Sequence, residues 1–333
     1  MITDGIQLYN VRALEQLDGM DRVLCRIPPE IQPLVHPWTL RHFRCPANSE
    51  LRFRTSAFPV MLHLTVGPEP VYMAVFLGDQ LIRRETLPAG AHRIRIEPEP
   101  LVSHRTEFAP DLVRVMLLAV DGMVSFDGIS SAGTLSPPLP RDVPKLRYLA
   151  YGSSITHGHR ATSPERSYTY LAARQMHADL INMGVGGSAY LEPGLGQYLA
   201  EALDFDLFTA EISVNMLNQG YSADEFYTRA KEFLTRIHRA HPDALKAVIS
   251  ILPCFWDLGK SRPDAVSTAQ IYREVTRSRC DDLEGAYLFL DGRELLHMEN
   301  LSPDQIHPND AGMEELGHNI AGRLMAARPE LFR

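Results

Sequence analysis

Residues 133–145 read Gly-Thr-Leu-Ser-Pro-Pro-Leu-Pro-Arg-Asp-Val-Pro-Lys, and the hydrophobic pattern changes period across them. Proline has no N–H for a ladder and fixes φ, so four prolines in this stretch specify a semi-extended linker rather than a helix or a central strand. Charge shifts there too: 15 basic and 16 acidic residues lie up to Lys145, 18 and 25 after it. A chain of 333 residues is long enough for two domains, each with its own core. The expected division is an N-terminal domain over 1–140 and a second domain over 145–333.

Before the linker the period is two. Arg93 and Arg95 alternate with Ile94 and Ile96, and Arg52 and Arg54 alternate with Leu51, Phe53 and Thr55, which predicts charged and apolar faces of half-buried strands. Further strand-like runs cover 60–66, 71–77, 112–118 and 123–126, separated by the turns Gly67-Pro68, Gly78-Asp79 and Asp121-Gly122. Many short strands at this spacing predict an antiparallel β-sandwich of jelly-roll type, with the first thirty or so residues wrapping or capping it. After the linker, short apolar runs at 146–151, 180–183, 207–214, 247–252 and 287–290 alternate with amphipathic stretches near 166–177, 195–203, 223–240, 267–283 and 310–327. That rhythm predicts a three-layer α/β domain with a parallel sheet, whose ligands bind beyond the carboxyl ends of its strands.

Composition narrows the function classes. A net charge of −8 lacks the basic field that phosphate backbones require, so nucleic acid is not an expected partner. The longest apolar runs are too short to span a bilayer, so no membrane role is expected. The opening MITDGIQLYN shows no basic segment followed by an apolar one, and a cytoplasmic location is expected. Cys25, Cys45, Cys254 and Cys280 have no zinc-type spacing and are expected to be reduced, buried thiols.

Four blocks carry the chemistry. The run 146–151 leads straight into Gly152-Ser153-Ser154-Ile155-Thr156-His157-Gly158, a small-residue turn that can lift one serine to the top of the sheet beside helix N–H groups. The next run ends in Asn182-Met183-Gly184-Val185-Gly186-Gly187-Ser188, the third in Ser213-Val214-Asn215-Met216, and the last is followed by Ser302-Pro303-Asp304-Gln305-Ile306-His307-Pro308. No one block is specific; four in this order at successive strand ends are. Together they resemble the SGNH (GDSL-type) hydrolases over roughly 146–330. The resemblance implies a flavodoxin-like α/β/α serine esterase domain in which Ser154 is the nucleophile, His307 its base and Asp304 the orienting acid. It further implies oxyanion donors in the backbone N–H groups of Ser154 and Gly187 and the side-chain amide of Asn215, with neither metal nor organic cofactor. Two blocks depart from the family pattern: Ser153 stands where an Asp is usual, and Ser213-Val214-Asn215-Met216 replaces Gly-x-Asn-Asp. Some members carry a jelly-roll before the catalytic domain, a layout similar to this one.

Other candidates are weaker. His157 and His159 lack a third predictable metal ligand, and His297 lacks an acid at the spacing of Asp304 and His307. Asp257 is a rival orienting acid, and Cys254 has no base predicted beside it. The 184–187 glycines do not fit a dinucleotide fingerprint. Trp256, with Phe255, follows the fourth strand and is the candidate substrate wall. Trp38 is the single tryptophan of the N-terminal domain, too few aromatics for an independent sugar-binding module. The resulting expectation is hydrolysis of a small acyl ester, acetyl first, of a sugar or other small alcohol. Acyl transfer to an alcohol through the same residues is the alternative, and a non-catalytic binding protein the remoter one. A homo-oligomer is compatible with the sequence.

Overall fold

A computed structural model describes residues 1–17, 19–98, 107–259 and 263–332. The chain forms two compact units, the first comprising Met1–Pro29, Arg41–Lys145 and Thr162–Glu165, the second Glu30–Leu40, Leu146–Ala161 and Arg166–Arg333. The long stretches meet at the proline-rich segment, but two short ones cross over. Glu30–Leu40, counted with the N-terminal domain from sequence, groups with the α/β unit, and Trp38 goes with it. The reason is tertiary: Thr39 is fully buried through bonds to residues about 150 positions away, which no local period encodes.

The first unit is an antiparallel β-sandwich. One sheet runs Ile2–Thr3, Ile6–Tyr9, Ala47–Thr55, Val113–Leu118, Val71–Leu77, Gln80–Leu87, with Leu135–Ser136 added to Ala47–Thr55. The other runs Ala13–Leu17, Met20–Cys25, Val124–Ser131, Val60–Val66, Gly90–Ile96. Alternate residues of both, such as Leu51, Phe53, Leu62, Leu64, Val115 and Phe126, meet in one apolar core. The face carrying Arg52 departs from the alternation. Arg52 is buried, not solvent-facing, because its strand lies inside the sheet and Tyr9 covers the guanidinium at 3.6 Å. Glu50 accepts from Arg52 at 2.7 Å and from Arg114 at 2.7 and 2.9 Å. Burial would raise the Glu50 carboxyl, but the two guanidiniums outweigh it and hold it down at about 2.

In the second unit five parallel strands lie in the order Ala178–Gly184, Leu146–Gly152, Leu207–Glu211, Leu245–Ile249, Leu288–Leu290. Each expected strand is present. The chain reverses direction of winding between Leu146–Gly152 and Leu207–Glu211, so the ligand crevice of such a sheet opens there. Register aligns Gly152 with Gly184 on one side and with Glu211 on the other. The strand expected over 207–214 stops at Glu211, because Ser213 takes φ +93 and the short helix Val214–Asn218 begins. Helices follow the 3.6 period: in Ala223–Ala240 the buried residues are Phe226, Ala230, Phe233, Leu234 and Ile237, and Ser222 caps the Glu225 N–H at 3.1 Å. Among the described residues no helix is long and apolar enough to cross a membrane. The four cysteines are free and buried.

Candidate active site

Leu146–Gly152 delivers the chain to a tight turn at the top of the sheet. Ser153 is extended and accepts the Ile155 N–H at 3.1 Å, so the single helical turn Ser154–His157 starts at Ser154 and ends at Gly158 with φ +107. The next strand end presses against this turn: Val185 N–H donates to the Gly152 carbonyl at 2.9 Å, and a Cβ on Gly184 would run into the His157 backbone nitrogen. Only glycine leaves room there.

The base arrives on a loop built by its own hydrogen bonds. Ser302 N–H donates to the His307 carbonyl at 2.7 Å and Gln305 N–H to that of Ser302 at 2.9 Å. Asp304 Oδ1 accepts the N–H groups of Ile306 and His307 at 3.2 and 3.0 Å, while its Oδ2 faces His307 Nδ1 at 3.1 Å. His307 Nε2 then meets Ser154 Oγ at 2.8 Å. Ser154, His307 and Asp304 thus form one continuous chain, the geometry that a nucleophile, a base and an orienting acid require.

Electrostatics suit that use. Burial lowers His307 below its ordinary value against the opposing pull of Asp304, so the ring is neutral and basic near neutral pH. Burial alone would raise the Asp304 carboxyl. The His307 N–H and ring, Arg160 and the Ile306 N–H overcome it and hold the group well below the usual carboxylate range.

Three candidate donors lie at or just beyond the ends of the strands Leu146–Gly152, Ala178–Gly184 and Leu207–Glu211. Asn215 Oδ1 accepts the Ala189 N–H at 3.0 Å, which fixes the amide and leaves its N–H groups for a ligand. Among the described residues the backbone N–H groups of Ser154 and Gly187 also make no hydrogen bond. Unspent donors on three adjacent strand ends are what a developing oxyanion requires. Asn215 lies in the first turn of Val214–Asn218, not on the strand itself.

The remaining candidates separate cleanly. Asp257 is committed to Arg273 at 2.6 and 2.9 Å and to the Cys254 N–H at 3.0 Å. Burial pushes the Cys254 thiol up to about 11, which makes it a poor nucleophile. His297 pairs with Glu315 at the surface. Trp256 is 7% exposed and donates its indole N–H to Asn218 at 2.7 Å, so it caps the core more than it walls a cleft. His157 is buried, and His159 lies on the His307 ring with centroids 4.1 Å apart and planes 35° apart. His159, Asp304 and His307 place ligand atoms within 4.8 Å of one another. Both His307 ring nitrogens are already engaged, Nδ1 with Asp304 at 3.1 Å and Nε2 with Ser154 at 2.8 Å, so the group serves this chain of bonds better than a chelate.

Three residues were not singled out from the sequence. Arg160 donates to Asp304 Oδ2 at 2.9 Å. Glu211 is fully buried beneath the nucleophile turn, accepting the Ser153 N–H at 2.8 Å and the Thr156 hydroxyl at 3.3 Å; burial raises its carboxyl to about 7. Glu192 is raised to about 7 as well, by burial. A carboxylate inside the strand-like run 207–214 was the available signal for Glu211.

Residues 150–315 match the GDSL-like Lipase/Acylhydrolase family model. A comparison with curated protein sequences gave no significant match. Among solved structures, the salicylyl acyltransferase SsfX3 of a tetracycline biosynthetic pathway is similar at TM-score 0.78 and 22% identity, covering 99% of this chain and 96% of that one. A family two carbohydrate esterase from Cellvibrio japonicus is similar at TM-score 0.64 and 13% identity, over 99% and 97%. An acetyl xylan esterase, Est2A, from the rumen bacterium Butyrivibrio proteoclasticus gives 0.60 and 12%, over 99% and 97%. At these identities the structural likeness speaks to the fold, an α/β domain with a parallel sheet together with antiparallel sheets. With the family match over the same strand ends that carry Ser154, Asn215 and His307, residues 150–315 constitute a GDSL-like lipase/acylhydrolase domain.

Proposed function

We propose that this protein is a serine esterase that removes small acyl groups, acetyl first, from sugars or other small alcohols. The observation that carries this reading is the continuous Ser154–His307–Asp304 chain of hydrogen bonds. His307 Nε2 takes the Ser154 proton as Oγ bonds the ester carbon, and the carbonyl oxygen becomes an oxyanion held by Ser154, Gly187 and Asn215. The tetrahedral adduct collapses, the C–O bond to the alcohol breaks, and His307 returns the proton to the leaving oxygen. Water then gives His307 a proton, attacks the acyl-serine, and releases the acid with Ser154 restored. The same acyl-serine can be taken by an alcohol instead of water, and the salicylyl acyltransferase shares the fold over nearly the whole chain. Product partition with and without an added polyol separates hydrolysis from transfer.

Hydrolysis of p-nitrophenyl acetate, butyrate and octanoate by the wild type and by Ser154→Ala tests the reading. The substitution is expected to lower turnover by roughly 10³-fold or more and to abolish labelling by a fluorophosphonate. Neither turnover nor adduct in the wild type would overturn the esterase reading in favour of a binding protein on this fold. Octanoate preferred over acetate would remove the small-acyl clause.

A further inference from the structure

The segment Glu30–Leu40 is fastened to the loop that follows the Ala178–Gly184 strand. His36 N–H donates to Glu192 Oε1 at 2.6 Å, and the Thr39 hydroxyl lies 3.0 Å from that oxygen and 3.3 Å from the Ser188 carbonyl. The His36 ring meets Tyr190 edge-on at 5.8 Å. A Cβ on Gly194 would lie 2.5 Å from that of Leu34, so this contact, too, is close. Four points of attachment within six residues give the segment one position on the loop. The side chain it presents is Trp38. Its Nε1 lies 3.3 Å from where a Cβ on Gly187 would sit, at a residue whose φ is +64. The indole therefore borders a residue assigned to the oxyanion hole, and Trp38 is 41% exposed. Trp256, the other tryptophan, is buried and hydrogen-bonded elsewhere.

The geometry points to Trp38 as the substrate wall and specificity-determining residue of this site, binding a flat ring carried by the ester. An indole held rigidly beside oxyanion donors offers a π-face to an aryl ring or to the C–H face of a pyranose without ordering any loop. The assignment rests on the esterase reading above. The ring can belong to the acyl group or to the alcohol, and two substrate pairs distinguish them. p-Nitrophenyl benzoate against p-nitrophenyl acetate varies only the acyl side; glucose pentaacetate against glycerol triacetate varies the alcohol.

Each pair is measured with the wild type, Trp38→Leu and Trp38→Phe, with fluorophosphonate labelling of Ser154 as the gauge of nucleophile reactivity. In one pair Trp38→Leu is expected to lower the ring-to-acyclic ratio of kcat/KM about tenfold, with Trp38→Phe retaining most of it. The pair that responds names the side on which the ring lies. Unchanged ratios in both pairs would overturn the assignment. So would a labelling rate that falls in step with all four esters, since the indole would then only support the loop. A wild type that is neither labelled nor active on any ester would instead remove the esterase reading itself.

Discussion

Asp304 Oδ2 serves two donors at once, His307 Nδ1 at 3.1 Å and Arg160 Nε at 2.9 Å. Arg160 thus draws on the charge that would otherwise hold a proton on the imidazole, and it adds its own positive field. Both effects lower His307, beyond the larger effect of burial. The base must be neutral, so kcat/KM is expected to rise with pH along a limb whose midpoint lies below the ordinary 6.5 of histidine. Arg160→Gln releases the Asp304 charge to His307 and should move that midpoint up, leaving the stacked His159 and the serine in place. An identical profile in wild type and variant would refute the role. Glu211 gives the opposite sign to most carboxylates. Its folded value is raised to about 7 from the ordinary 4.5, so the fold binds a proton that the unfolded chain releases between those values. Stability falls as pH rises through that window and is level above it, by roughly 3 kcal/mol for a shift of that size. Glu211→Gln keeps an acceptor for the Ser153 N–H without the titration. Its Tm relative to wild type should therefore be higher at pH 8 than at pH 5. Equal differences at the two pH values would show that Glu211 does not titrate in this range.

At the scale of elements, the junction Ile212–Asn215 shows how a strand end can be diverted. Ser213 sits at φ +93, ψ −44, a conformation that costs a residue with a Cβ roughly 1–3 kcal/mol and glycine little. This is the position where the related pattern has glycine. The strain ends the strand at Glu211 and turns Asn215 into the first helical turn, where Oδ1 can reach the Ala189 N–H. Ser213→Gly is expected to raise stability by about 1 kcal/mol, read from the urea midpoint, with esterase activity retained. A lower midpoint would mean that the Ser213 hydroxyl, bonded to the Ile212 carbonyl, matters more than the backbone strain. Elements of this kind were partly legible beforehand. The five parallel strands were visible as apolar runs because buried parallel strands are apolar on both faces. Ser154, Asp304 and His307 were visible because their blocks, in this chain order, resemble those of one hydrolase family. Arg160 was not, since nothing local says that the sixth residue after the nucleophile curls back onto the acid of another loop.

For the whole molecule, the cut that sequence suggests at the proline-rich segment is not the cut that contacts make. A chain truncated to 146–333 would keep Ser154, Asp304 and His307 but lose Leu34, His36, Trp38 and Thr39. Glu192 would lose its His36 and Thr39 donors, and the loop around it would lose the side chains that pack on it. Such a chain is expected to unfold several degrees below one that retains the segment, and a Tm equal to that of the full chain's α/β unit would exclude this dependence. The amino-acid sequence by itself determined the two kinds of architecture, because hydrophobic period and turn residues are local quantities, and the order of its motifs nominated Ser154, Asp304 and His307 through a family resemblance. It also offered Gly187 and Asn215 as oxyanion donors, through the resemblance that their blocks carry. Only the tertiary structure decided that Arg52 is buried beside Glu50, that Trp256 is a core cap, and that Trp38 belongs beside Gly187. Those outcomes depend on what packs against a side chain from a distant part of the chain, and no short-range pattern carries that information.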